Sequence, residues 1–220
     1  MNLFVTAVLS FLLSASIITI SSPFPQGVLG LKEAAPLPIE AGVPYYLVPL
    51  NYANISQGGI TLISTDGEPC PIHVGLGGYD ESIPIVFSPI DKSNVSSHNN
   101  ITEDEDVSIH IYNGIPDCAN TSLWHYYNFQ PFLPPTFVRI NGGNIGKFGT
   151  RFKVKRVFPD DDDIKIFKLQ GYRRVGDLQL LRPINVGVYK DILFLLTGDH
   201  PLWFTLVSAN NTTAGYKSAM

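Results

Sequence analysis

What most constrains this chain is its punctuation. After residue 21, short runs rich in Val, Ile, Tyr and Phe recur along the sequence, and no stretch carries the apolar period of an amphipathic helix. The runs fall at 45–50, 59–64, 83–87, 107–112, 136–140, 152–157, 164–169, 178–181, 192–197 and 202–208. Between them stand Asp66-Gly67, Gly77-Gly78, Asn113-Gly114, Asn141-Gly142-Gly143 and Gly198-Asp199, residues that tolerate positive φ and so permit tight turns. β-branched and aromatic side chains suit a pleated, half-buried surface. About ten to twelve short strands at this spacing predict an all-β sandwich or barrel. A chain of 220 residues is the right size to do this around one core.

The first segment stands apart. Phe4 to Ile18 is almost wholly apolar or small, and it is short for a bilayer whose core is about 30 Å thick. Thr19, Ser21 and Ser22 offer small residues for cleavage, so residues 1–21 read as a secretory signal peptide and 22–220 as a single mature domain. A buried first helix is the alternative, but a β-rich chain gives it no helical partner. No later run is long and uncharged enough to be a membrane helix, so the mature form is expected to be secreted or vacuolar and to have no membrane partner.

Export gives meaning to two further features. Cys70 and Cys118 are the only cysteines, and an even pair in an oxidising compartment reads as a disulfide, with a buried pair of free thiols as the alternative. A bridge closing a loop of about 50 residues stabilises by about 4 kcal/mol in the chain-entropy model. Glycosylation sequons occur at Asn54, Asn94, Asn100, Asn120, Asn210 and Asn211, in polar stretches where a glycan can face solvent. Charged residues are sparse and the net charge is −4, which argues against a nucleic-acid surface, since neutralising phosphates takes clustered Lys and Arg.

Composition does not choose between sandwich and barrel. A three-fold repeat of roughly 60 residues is hinted at by 58–64, 175–181 and 202–208, too faintly to stand alone. The ordered series of segments says more. Ile39, the spacer Glu40–Pro44, then Tyr45, Tyr46 and Leu47 open it. Gly58-Gly59-Ile60-Thr61-Leu62, Cys70-Pro71-Ile72-His73-Val74 and Val107-Ser108-Ile109-His110-Ile111 follow, leading to Cys118 and Trp124. Phe152–Val157, Phe167-Lys168-Leu169, Gly176-Asp177-Leu178 and Pro201–Leu206 complete it. This series resembles the plant Kunitz-type (soybean trypsin inhibitor-like) protease inhibitors over most of the mature chain. The resemblance implies a β-trefoil, a closed barrel capped by three hairpins with pseudo-threefold symmetry. The chain departs from the family at Glu33, where an Asp is usual, and at Pro36, where a Gly is usual. Where many members carry a second disulfide, Tyr172 and Val175 stand in what reads as a shortened loop.

The resemblance also implies a function: non-covalent inhibition of an endopeptidase, of the serine class or else the cysteine class, through an exposed loop after a Ser-Pro. Here that loop is Ser88, Pro89, Ile90, Asp91, Lys92 and Ser93. Asp91 falls at the position preceding the scissile bond, where trypsin inhibitors of this family carry Arg or Lys. Against trypsin's acidic pocket an Asp is repelled. The segment 91–106 is longer than the usual loop and contains the Asn94 and Asn100 sequons, and Ala41 takes the place of an Asn that often braces the loop in the family. Strong trypsin inhibition is therefore not expected. The alternative is a non-inhibitory trefoil serving storage, carbohydrate binding or protein binding.

Enzyme signatures are missing. His73, His98, His110, His125 and His200 have no metal-ligand spacing and read as strand-surface or turn residues. There is no Gly-x-Ser-x-Gly elbow, and neither cysteine sits in a nucleophile motif. The acidic run 160–163 lacks the ligand spacing of a calcium loop and reads as a hairpin tip, and Glu103–Asp106 reads as an exposed, mutually repelling run. Tyr126, Tyr127, Phe129, Phe132 and Phe137, interleaved with Pro131, Pro134 and Pro135, read as core and barrel-bottom packing, with a binding patch as the alternative. The expectation is a non-enzyme without metal or cofactor, monomeric, with a protease as partner.

Overall fold

The computed structural model describes residues 39–50, 58–91, 100–103, 105–126, 136–142, 144–145, 147–158, 164–175, 180–196 and 200–211. The apolar N-terminal segment read as a signal peptide (1–21), Glu33, Pro36, the acidic run 160–163 and His98 lie outside them. The described residues fold as antiparallel strands. These are β1 (Ile39–Glu40), β2 (Pro44–Pro49), β3 (Gly59–Thr65), β4 (Glu68–Gly77), β5 (Ile85–Pro89) and β6 (Asn100–Ile101), then β7 (Val107–Ile111), β8 (Lys153–Arg156), β9 (Phe167–Val175), β10 (Leu180–Tyr189), β11 (Ile192–Leu196) and β12 (Trp203–Ser208). Helix among the described residues amounts to two three-residue 3-10 turns, Tyr79–Glu81 and Ala209–Asn211.

Six strands are linked in a circuit. β2 pairs with β5, β5 with β7, β8 with β9, β9 with β12, and β12 with β2. The remaining step, from β7 toward β8, is a reciprocal bridge: Val107 and Phe152 exchange N–H to O bonds of 2.9 Å each. Each of the six strands sends a buried apolar side chain into one cluster: Leu47, Phe87, Ile109, Val154, Leu169 and Phe204. Alternation makes this possible, because side chains two apart share a face. In β8 the sequence Lys153-Val154-Lys155 buries the Val and leaves the flanking lysines half-exposed.

Three further pairs of segments are joined to one another. β3 pairs with β4 and β10 with β11, while His125 bridges Arg139. Ile192 pairs with Gly75, His73 with Arg139, and Phe137 with Phe194, so each pair touches the other two. Val74, Val138 and Leu193 bury one apolar side chain from each. The run expected as a strand at 136–140 is thus present only as isolated bridges at Phe137 and Arg139.

The hairpin turns explain the larger differences from expectation. Asp66-Gly67 turns β3 into β4, with Gly67 at φ 86°, as its composition predicts. The β10–β11 turn instead uses Lys190 at φ 48° and Asp191 at φ 64°, neither of them glycine. β10 accordingly runs to Tyr189, well past the segment ending at Leu181, and it passes through Pro183, a residue that reads as a strand breaker. Tyr172 and Val175 do not lie in a loop: β9 continues through both, opposite Pro183 and Leu180. The Cys70–Cys118 disulfide is formed, with Cα atoms 6.1 Å apart, and ties β4 to the segment after β7.

Candidate functional site

The candidate loop leaves the sheet at the end of β5. Ser88 lies opposite Ser108 and Pro89 opposite Val107. The buried Ser108 hydroxyl donates to the Ser88 carbonyl at 3.2 Å. Proline has no N–H to offer the ladder, so the following hydrogen bond on this side comes from Ile90, whose N–H donates to the Asp106 carbonyl at 3.0 Å. Asp91 is exposed. Lys92, Ser93 and Asn94 lie outside the described residues.

The N-terminal segment holds the other end of this excursion. β1 pairs with β6, setting Glu40 opposite Asn100 and Ile39 opposite Ile101, and both isoleucines enter the core. In the turn between β1 and β2, the Gly42 N–H donates to the carbonyl of Phe87, the residue before Ser88, at 3.0 Å. The Tyr45 hydroxyl accepts from the Glu40 N–H at 3.1 Å. Ala41 packs against the core at this point, and its methyl group brings no polar contact.

The return arm of the loop differs from its reading as a repelling, solvated run. Glu103 pairs with Arg156 at 2.8 Å. Glu105 accepts from the Thr102 N–H at 3.3 Å. Asp106 faces Arg151 at 3.4 Å and Lys153 at 4.0 Å, and accepts a short hydrogen bond from the Tyr172 hydroxyl. Cations on and beside β8 thus receive Glu103 and Asp106, which offsets the repulsion between these two. The signal in the sequence is the basic set Arg151, Lys153 and Arg156, which only the fold brings against Glu103 and Asp106. Sequence reasoning named Tyr172 only as standing where a second disulfide is usual and Asp106 only as part of an acidic run; it missed their partnership, which joins residues far apart in the chain.

Glycan acceptors are placed unevenly. Asn120 and Asn210 are exposed, and the Asn120 N–H donates to Asn141 Oδ1 at 2.7 Å. Asn100 is half-buried within β6. Asn211 ends the second 3-10 turn, and Asn54 and Asn94 lie outside the described residues.

The histidines depart from their surface reading. His200 is exposed, but His73 and His125 are buried and His110 is half-buried. Glu68 sits 2.7 Å from His73 Nε2 and 3.5 Å from Arg139. Of the aromatics, Tyr126 is buried and Phe137 half-buried, while Tyr127, Phe129 and Phe132 lie outside the described residues. Among the described residues no group of three or more His, Cys, Asp or Glu stands together as metal ligands do.

These groups set a pH dependence. Burial holds His110 and His125 below the ordinary imidazole value, and for His125 the Arg139 charge acts the same way. The hydrogen bond from His73, aided by the Arg139 charge, holds the Glu68 carboxyl below its ordinary 4.5. A depressed folded-state value means stability that is present above the unfolded value and lost as pH falls through the folded one. Both kinds of group therefore act in one direction. The urea midpoint is expected to hold steady near neutrality, then fall in two stages, below about pH 6.5 and again below about pH 4.5. His110→Gln should shrink the upper stage to the share of His125 and leave the lower one. Urea titrations across pH check this; a midpoint that rises on acidification contradicts it.

Comparison with known proteins adds the following. The legume Kunitz family of trypsin and protease inhibitors matches residues 35–207. Among solved structures, alocasin, a protease inhibitor from giant taro (Arum macrorrhizon), has a TM-score of 0.58 at 16% identity, covering 79% of this chain and 95% of its own. Soybean trypsin inhibitor in complex with porcine pancreatic trypsin has 0.56 at 19%, covering 78% and 94%. The Kunitz-type cysteine protease inhibitor PCPI-3 from potato has 0.57 at 21%, covering 79% and 93%. At such identities the likeness carries the fold alone. No curated protein sequence matches the chain.

Proposed function

The chain belongs to the legume Kunitz family of trypsin and protease inhibitors, and from that premise we propose that it binds an endopeptidase non-covalently through the loop that begins at Ser88. The circuit β2-β5-β7-β8-β9-β12 is read here as the six-stranded barrel of a β-trefoil, with the three joined pairs as its hairpin cap. The observation that carries the loop assignment is its local geometry. A Ser-Pro step ends a barrel strand, both sides of the excursion are tied by backbone hydrogen bonds, and Asp91 faces solvent. An arm tied in place before binding, as Ser88–Ile90 is, loses little entropy on docking, which is what a substrate-like inhibitor needs.

The target in this reading is a serine endopeptidase other than trypsin, with the cysteine class next. Asp91 disfavours an acidic specificity pocket by like-charge repulsion. Residues 1–21 are read as a removable leader and the exposed sequons as glycosylated, so the protein to assay is the secreted mature form, with and without its glycans. A panel of trypsin, chymotrypsin, subtilisin and papain-like enzymes tests the proposal. Stoichiometric inhibition of at least one member other than trypsin is the expected outcome, and inhibition of none by folded protein overturns it.

A further inference from the structure

Beyond Pro89, a backbone bond ties the start of the loop to its return arm. Pro89 contributes no N–H, so the position of Ile90 depends on its bond to the Asp106 carbonyl, and hence on what fixes Asp106. Asp106 is fixed from the opposite direction. Its carboxylate accepts the Tyr172 hydroxyl of β9, with Arg151 and Lys153 beside it. Tyr172 is held in turn: its backbone N–H donates to the Tyr126 hydroxyl at 2.7 Å, and that hydroxyl donates to the Arg151 carbonyl at 3.0 Å. Tyr126 is buried, with its ring edge-on to Phe152 at 5.3 Å in the core.

We infer that Tyr172 and Asp106 are positioning residues for the candidate binding loop, a side-chain brace running from the core through Tyr126 to Ile90. The inference rests on the loop assignment made above. Three features support the brace. A phenol–carboxylate bond is charge-assisted and stronger than a neutral one. Asp has few side-chain torsions, so holding its carboxylate holds its backbone. Ala41, the residue beside the Gly42 bond to Phe87, brings no polar side chain to the loop, so the hold on that side among the described residues is made by backbone, and a side-chain brace from the opposite side complements it. Burial pushes both phenols well above the ordinary tyrosine range, so each remains an O–H donor through the physiological range.

Tyr172→Phe keeps the ring and removes the hydroxyl. Hydrogen exchange of the mature protein should show peptides spanning Ser88–Asp91 exchanging about tenfold faster, a local opening. The amides of Val138 and Leu195, bonded in other parts of the sheet, should keep wild-type rates, and the urea midpoint should move little. Asp106→Ala, which leaves Tyr172 in place, should loosen the same peptides. A role in general stability alone predicts acceleration everywhere together with a lower midpoint. That result, or unchanged exchange at Ser88–Asp91 in both variants, overturns the inference. Assay of the same variants against the protease found by the panel separates the two claims. Local loosening with weaker inhibition is expected. Local loosening with unaltered inhibition leaves the brace standing and counts against the loop as the contact surface.

Discussion

Asp91→Arg combined with Ala41→Asn is expected to create trypsin inhibition where the unmodified protein shows little or none. The first change replaces a repelled carboxylate by a guanidinium that complements an acidic pocket. The second places a side-chain amide in the turn whose neighbour, Gly42, already bonds the Phe87 carbonyl at 3.0 Å, one residue before the loop. Each charge-assisted hydrogen bond gained is worth about 1.5–3 kcal/mol, or roughly ten- to a hundred-fold in affinity. Where Asn94 or Asn100 carries a glycan, its removal should increase the gain, because a sugar beside the contact obstructs a protease cleft. Inhibition constants of the single and double variants check this. Nanomolar inhibition of trypsin by the unmodified protein would mean that Lys92 or another loop makes the contact.

Trp124→Ala should be the most damaging single change to the fold. Trp124 is fully buried, its backbone N–H donates to Ile109 of β7 at 2.8 Å, and its ring lies edge-on to Phe152 at 6.1 Å. Phe152 is the residue that bridges β7 toward β8, so the cavity would open beside the step that completes the circuit. Truncating a buried aromatic costs about 3–5 kcal/mol, a large share of a stability of about 5–15 kcal/mol. The indole Nε1 has no hydrogen-bond partner among the described residues. Trp124→Phe should therefore lose less than its volume suggests, because a buried unpaired donor leaves with the indole. Urea midpoints at constant m-value measure both. Trp124→Ala within about 1 kcal/mol of wild type would contradict this account of the core.

How much of this was legible in the sequence depends on how local each signal is. The runs that became β2, β3, β5, β7, β11 and β12 lie within a few residues of their observed bounds, because alternation and turn chemistry are local. The disulfide followed from there being two cysteines, and the structure forms it. β10 was read short because Pro183 and a non-glycine turn at Lys190-Asp191 carry the wrong local signs, while pairing with β9 and β11 holds the strand. The burial of His73 and His125 was missed because it comes from the meeting of β4 with the Arg139 segment. The Glu103 and Asp106 ion pairs were missed for a similar reason. A run of acids looks solvated until distant residues in β8 and β9 come opposite it. For the loop, Ser88-Pro89 marked the end of a strand, yet nothing local showed that Ile90 hangs on Asp106.

The most direct measurement is a protection map of the complex. With the tightest-binding endopeptidase of the panel added to saturation, hydrogen exchange of the deglycosylated mature protein should slow in peptides covering Ser88–Ser93 and stay unaltered on the β3–β4 and β10–β11 hairpins. Protection confined to those hairpins, with exchange at Ser88–Ser93 unaltered, would contradict the assignment of this loop as the protease-binding surface.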